Sequence, residues 1–295
     1  MTDVTTQPAG DRSPVVVWLD GALRDPAGAG LHWSDHGITV GDGVFETIKL
    51  VGDQPFALEA HLDRLDSSAA GLLLSAPPRP TVEAAVAEVA AEWARTNGPA
   101  TARLRLTVTA GPGPMGSERG PDGPTLMVTA AAMTLRRDPT DVVVVPWTRN
   151  ERGALAGLKT TSYAENVIAL ARARESGATE AIFANTRGEL CEGTGTNVFV
   201  GIHGELVTPP LDSGCLAGIT RALLLDALDA AGTPAKEATL PIEQLAAADE
   251  AFLVSTGREV QPIAAVDGAA LGTSAGPVPG PLTSQAIAAW DATYS

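Results

Sequence analysis

The feature that most constrains this chain is the irregular order of its segments. Strand-like and helix-like stretches are mixed through both halves, and no strand–helix–strand period repeats. A doubly wound parallel sheet needs that period, so an α+β architecture fits better. VVVWLD, from Val15, reads as a strand closed by Gly21. FETIKLVGDQPFAL, from Phe45 to Leu58, reads as two strands about a Gly-Asp turn. Residues 59–74 are helical in pattern, with Leu62, Leu65 and Ala69 on one face. A second helix is expected over 81–96, where Val82, Val86, Val89 and Trp93 form one apolar stripe at helical spacing. RLRLTVTAG and TLMVTAAA then alternate as strands. Between them lies a Gly/Pro-rich loop, residues 111–124, of the exposed or functional kind.

The segment from Thr134 to Thr140 interrupts the apolar pattern and marks an expected interdomain linker, 134–140. It separates an N-terminal domain, 15–133, from a C-terminal domain, 141–295, and a polar tail, 1–14, precedes both. DVVVVPW is a continuous apolar run, expected to be a strand buried on both faces. Hairpins are expected with turns at Asn185–Gly188 and His203–Gly204. Helices should follow Lys159, stopping at Gly177, and follow Gly218, stopping at Gly232. AFLVSTGREVQPI reads as a strand entering a glycine turn. GTSAGPVPGPLTS reads as a loose connector before a short helix, QAIAAWDA. Trp18, Trp33, Trp93 and Trp147 are read as packing residues.

Composition narrows the partners. A formal charge of −15 argues against a nucleic-acid backbone, which wants basic stripes. No apolar run is long enough for a membrane span. The opening residues lack a signal peptide's basic and apolar regions, so cytoplasmic residence is the expectation. Two cysteines, Cys191 and Cys215, make no disulfide framework, and the four histidines have no metal-ligand spacing, so no metal is expected.

Lysine is scarce: Lys49, Lys159 and Lys236. Lysine used as a covalent nucleophile must be partly desolvated so that a useful fraction is neutral. Lys236 lies in a polar connector and Lys49 on a strand. Lys159 follows the apolar GALAGL and precedes a helix, which makes it a plausible site lysine beside the bland reading of a surface charge. GITR puts backbone N–H groups and Thr220 at a helix start, a ready anion site. VSTG places Ser255 and Thr256 beside a glycine turn, again suited to phosphate. Taken alone, each is equally ordinary capping or turn chemistry.

Five segments change that balance together: HLDRL, LKTTSYAENV, ELCEGTGTNVF, PPLDSGCLAGITR and DEAFLVSTGREVQPI. In this order and at these separations the chain resembles the class IV aminotransferase family over roughly residues 15 to 267. That family includes branched-chain aminotransferases, D-amino-acid aminotransferases and aminodeoxychorismate lyases. The resemblance implies the two-domain pyridoxal-phosphate fold type IV, with a smaller N-terminal α/β domain and a larger C-terminal mixed, barrel-like domain. It implies pyridoxal 5′-phosphate as cofactor, a small amine or amino acid as substrate, and a homodimer. By the same resemblance, Lys159 carries the cofactor and moves the proton, and Glu192 keeps the pyridine nitrogen protonated. Arg64, Ile219, Thr220 and Thr256 hold the phosphate, and Tyr163 hydrogen-bonds the phenolic oxygen.

Within the family, GDGVFETIK resembles the lyase pattern, in which a threonine, here Thr47, stands two positions after the aromatic, here Phe45. Branched-chain enzymes usually have glycine there. The D-amino-acid enzymes place a histidine near the end of the strand holding Arg105, and none occurs here. The expectation is therefore 4-amino-4-deoxychorismate lyase, releasing 4-aminobenzoate and pyruvate, with Thr47 assisting catalysis. Phe45, Lys49, Arg105 and Arg119 would line the substrate and its carboxylates. The alternative is an aminotransferase for branched-chain or other hydrophobic amino acids with a 2-keto-acid acceptor.

Overall fold

The computed structural model describes residues 14–272 and 278–294. Most of the N-terminal tail and part of the GTSAGPVPGPLTS connector lie outside the described residues. Among the described residues, two sheets dominate. The first contains β1 (Val15–Leu19), β2 (Ala22–Arg24), β3 (Gly43–Val51), β4 (Gln54–Pro55), β5 (Thr101–Thr109) and β6 (Thr125–Ala132). It is antiparallel throughout, in the order β2-β1-β6-β5-β3-β4. A short α1 (His36–Thr39) precedes β3, and α2 (Leu58–Gly71) and α3 (Arg79–Asn97) follow β4.

Alternation along β3 gives the first sheet its two faces. Val44, Ile48 and Leu50 point into a core filled by Leu62 and Leu65 of α2 and by the α3 stripe. Val82, Val86, Val89 and Trp93 are all buried, and Trp93 anchors its indole N–H on the Ala100 carbonyl at 2.8 Å. Truncating a buried tryptophan of this kind costs about 3–5 kcal/mol. Phe45, Thr47 and Lys49 occupy the opposite face. In the β3–β5 register they stand beside Thr107, Arg105 and Arg103. One face is thus apolar and helix-covered, and the other is polar and turned toward the second sheet.

That second sheet begins at β7 (Thr140–Arg149), after which α4 (Ala164–Glu175) leads to β8 (Glu180–Asn185), β9 (Leu190–Gly193), β10 (Asn197–Ile202) and β11 (Glu205–Thr208). Then come α5 (Ile219–Ala230), β12 (Lys236–Glu237), α6 (Glu243–Ala246), β13 (Glu250–Ser255), β14 (Glu259–Val266), β15 (Ala269–Ala270) and α7 (Pro281–Tyr294). The order is β12-β11-β10-β13-β14-β7-β8-β9, with β15 on β14. β7 runs parallel to both neighbours, and most other pairs are antiparallel. The expected hairpin turns lie where local chemistry puts them: His203 and Gly204 both take positive φ, as a tight two-residue turn requires.

Three packing expectations need correction. β7 is not buried on both faces: Val142 and Val145 are covered, whereas Asp141, Pro146 and Trp147 are exposed. Trp33 and Trp147 are not core residues, at 69% and 46% exposure. The fifth tryptophan, Trp290, is buried as Trp18 and Trp93 are, held in α7 against Phe56 and Tyr294. The terminal helix is accordingly longer than QAIAAWDA alone, spanning 14 residues.

Candidate active site

Lys159 is fixed by its backbone before its side chain does anything. Its carbonyl accepts the Phe45 amide at 3.0 Å, and the Thr161 amide reaches the Gly43 carbonyl at 2.8 Å. The Lys159 amide donates to Ser68 Oγ of α2 at 3.2 Å. Gly43 permits this approach: a Cβ there would sit 2.7 Å from the Val108 carbonyl oxygen and 3.1 Å from Thr161 Oγ1. The segment between the sheets is therefore stitched to the start of β3. The Lys159 ammonium lies 4.4 Å from the centre of the Phe45 ring. Burial, then the positive charge of Arg64, depresses its pKa to about 8, although Glu46 and Glu192 pull the other way.

One end of the cleft is built around Arg64. Its Nε and Nη2 donate to the two oxygens of Glu46 at 2.8 and 2.6 Å, and its Nη1 donates to the Ala217 carbonyl at 2.9 Å. His61 Nδ1 meets Glu46 Oε2 at 2.7 Å. Burial alone would raise the Glu46 carboxyl, but the bonds and charges of Arg64 and His61 outweigh it and hold the pKa at about 2. Two residues beyond Ala217, α5 begins at Ile219 with no side chain capping its first amides. Thr220 is buried there, and Ile219, Thr220, Thr256, His61 and Lys49 line a common cavity. Thr256 reaches across to β3, its Oγ1 donating to the Thr47 carbonyl at 3.0 Å.

The other end is built around Glu192 on β9. Glu192 Oε1 accepts from Arg149 Nε at 3.2 Å, and Oε2 accepts from the Leu216 amide at 2.9 Å. Burial raises its pKa, opposed by Arg149 and the Leu216 amide. Arg149 also donates to Asn166 and lies over the Phe183 ring at 4.0 Å. Tyr163 meets Phe45 edge-on at 5.3 Å, and burial, then Glu192, raises its phenol pKa. Leu216, Ala217 and Gly218 thus touch both ends of the cleft. Gly218 is tightly confined: a Cβ there would fall 1.9 Å from Asn197 Oδ1.

The donor set fits a phosphorylated pyridine aldehyde. An uncapped helix start with an adjacent guanidinium and a threonine hydroxyl suits a phosphate dianion. A buried carboxylate suits a protonated ring nitrogen, and a partly desolvated lysine lies between the two ends.

The expected substrate residues do not all converge. Phe45, Thr47 and Arg105 share the cleft face of β3 and β5. The Arg105 guanidinium stacks on Phe45 at 3.7 Å and, among the described residues, hydrogen-bonds Thr107 Oγ1 alone, at 3.3 Å. Lys49 is on the same face, but its ammonium is held by Glu259 at 2.6 Å in a buried pair. Arg119 is spent elsewhere: Asp42 takes its Nε and Nη2 at 2.7 and 2.8 Å, and the Leu72 and Leu73 carbonyls take the rest. It fastens the 111–124 loop to the end of α2. Neither side chain is free to receive a substrate carboxylate in this arrangement. Sequence reasoning missed Arg149, Glu46 and His61. Glu46 had a signal, because it occupies an inward position in the β3 alternation, where a charge must find partners.

Comparison with known proteins gives a consistent family. The model for amino-transferase class IV matches residues 43–266. The "Putative branched-chain-amino-acid aminotransferase" of Methanocaldococcus jannaschii is 33% identical over 256 residues, 85% of this chain and 88% of the relative. The D-alanine aminotransferase of Bacillus licheniformis is 31% identical over 272 residues, 90% of this chain and 93% of the relative. A hypothetical aminotransferase from Mycobacterium tuberculosis, solved in its PLP-bound form, superposes with TM-score 0.83 at 27% identity, covering 95% of this chain and 98% of the other. A "Putative 4-amino-4-deoxychorismate lyase" from Legionella pneumophila gives TM-score 0.80 over 91% of this chain and 97% of the other, at 23% identity. That last likeness speaks for the fold, not for the reaction.

Proposed function

The chain belongs to the class IV aminotransferases, enzymes that work with pyridoxal 5′-phosphate, and on that footing we propose that it moves an amino group between a hydrophobic amino acid, branched-chain side chains foremost, and a 2-keto acid. The observation that carries the reading is the seat of Lys159. Its amine is partly desolvated, lies over Phe45, and has a pKa lowered to about 8 between the Arg64–Glu46 pair and Glu192. Bound pyridoxal 5′-phosphate supplies an electron sink for charge developing at the amine-bearing carbon. In this proposal Lys159 holds the cofactor and carries the proton at that carbon. Glu192 keeps a proton at the ring nitrogen. Arg64, the first amides of α5, Thr220 and Thr256 hold the phosphate, and Tyr163 supports the ring edge beside Phe45. Arg105 receives a substrate carboxylate while Phe45 accepts an apolar side chain. The active species is a homodimer in this reading.

This choice departs from the lyase preferred on sequence. A lyase substrate with two carboxylates needs two basic seats, and Lys49 and Arg119 are engaged by Glu259 and Asp42. The relatives at 33% and 31% identity carry aminotransferase names. Thr47 still favours the lyase as a second reading, since it stands on the cleft face opposite Arg105. Incubation with leucine or valine should give turnover that depends on added 2-oxoglutarate. Release of 4-aminobenzoate and pyruvate in equal amounts from 4-amino-4-deoxychorismate, with no keto acid present, would instead establish the lyase.

A further inference from the structure

Glu46 breaks the pattern of its own strand. It shares the inward face of β3 with Val44, Ile48 and Leu50, and it is fully buried under α2. A carboxylate in that position is costly unless donors match it. Three do: Arg64 Nε, Arg64 Nη2 and His61 Nδ1, at 2.8, 2.6 and 2.7 Å. Two of the three guanidinium nitrogens are therefore committed to one anion in a fork, which fixes the plane of the group. The third nitrogen, Nη1, gives one N–H to the Ala217 carbonyl at 2.9 Å, two residues before α5 begins, and keeps its second N–H.

The geometry points to Glu46 as a positioning residue that aims the Arg64 guanidinium at the anion seat beside the start of α5. An arginine without a fixed partner would sample many rotamers, and ordering it on binding would weaken the phosphate contact. Glu46 does that ordering in advance, and His61 completes its hydrogen bonding. The inference rests on the reading of Arg64 as a phosphate ligand.

The test uses full-length protein stripped of cofactor and titrated with pyridoxal 5′-phosphate and with pyridoxal, which lacks the phosphate. The ratio of the two dissociation constants reports the phosphate end alone. Wild type, Arg64→Ala, Glu46→Gln, Glu46→Asp and the Glu46→Gln/Arg64→Ala double variant are compared. Glu46→Gln and Glu46→Asp should each lower the preference for the phosphorylated form by about tenfold, the scale of one misaimed charge-assisted bond. In the Arg64→Ala background Glu46→Gln should change the ratio no further, because its effect runs through that arginine. An unchanged ratio in both Glu46 variants, with Arg64→Ala losing the preference, overturns the inference and leaves the phosphate reading intact. An unchanged ratio in Arg64→Ala removes the phosphate reading and the inference with it. Should Glu46→Gln fail to fold, Glu46→Asp carries the test. Loss of folding in both marks Glu46 as a residue of the core and also overturns the inference.

Discussion

Glu46 and Glu192 are near-twins in surroundings and opposites in behaviour. Each is a carboxylate near Lys159, each is paired with an arginine, and burial pushes each toward protonation. Yet Glu46 is held at about 2 while Glu192 is raised. The difference lies in the donors. Glu46 receives a full guanidinium fork and an imidazole N–H. Glu192 receives one longer guanidinium bond and one backbone amide, because Arg149 also serves Asn166 and Glu165. Burial makes a carboxyl reluctant to ionise, and the count and geometry of its donors decide whether it does. One end of the cleft therefore holds a carboxylate kept ionised by its donors, and the other a carboxyl whose burial outweighs its donors and raises its pKa.

The largest test of this contrast removes the group between them. On the proposed role of Lys159 as the group that carries the proton, Lys159→Ala should lower turnover by about 10³-fold or more at saturating cofactor. Initial rates that stay near wild type would assign that proton to another group. Next comes Glu192→Gln, which should lower kcat by about 10²-fold with little change in KM. Arg149→Met should act in the same direction but about tenfold less, by letting Glu192 rise further. Equal effects of Glu192→Gln and Glu46→Gln on kcat would erase the distinction between the two ends.

The smallest effect is thermodynamic, read as Tm against pH in the cofactor-free protein. Glu46 has a folded pKa of about 2 against an ordinary 4.5, so its contribution is present above 4.5 and lost as pH falls toward 2. Glu46→Gln should flatten that acid limb. Lys159 acts in the same sense at the alkaline end, there because burial penalises its charged form. The folded protein sheds its proton near 8 and the unfolded chain near 10.5, so stability rises with pH across that interval. Lys159→Met should abolish the rise, a change of a few degrees in Tm.

Local chemistry made much of the fold legible. The α3 stripe, the His203–Gly204 turn and the helices stopped by Gly177 and Gly232 are each decided within a dozen residues. β7 was misread because an apolar run does not say which face a neighbour covers, and Trp147 stands on the uncovered one. In the candidate site, Lys159, Arg64 and Glu192 were picked out by their motifs, and the fold brings the three near one another. Their supports were not, because those pairings span the chain. Arg149 lies 43 positions from Glu192, and Lys49 lies 210 positions from the Glu259 that occupies it. A basic residue on a strand looks available in a sequence whether or not a distant acid has claimed it. Arg119, taken by Asp42 from 77 positions away, repeats the lesson.

The short run Leu216–Ala217–Gly218 has a mechanical consequence. Its first amide is tied to Glu192, its middle carbonyl to Arg64, and its last residue opens α5 with Asn197 pressed against it. It works as a caliper whose jaws are a carboxylate and an anion seat. Inserting one residue lengthens an extended chain by about 3.4 Å, which would set the jaws to the wrong gauge. If the proposed phosphate and ring-nitrogen seats hold, the cleft selects its occupant by length as well as by charge, and three residues set the measure.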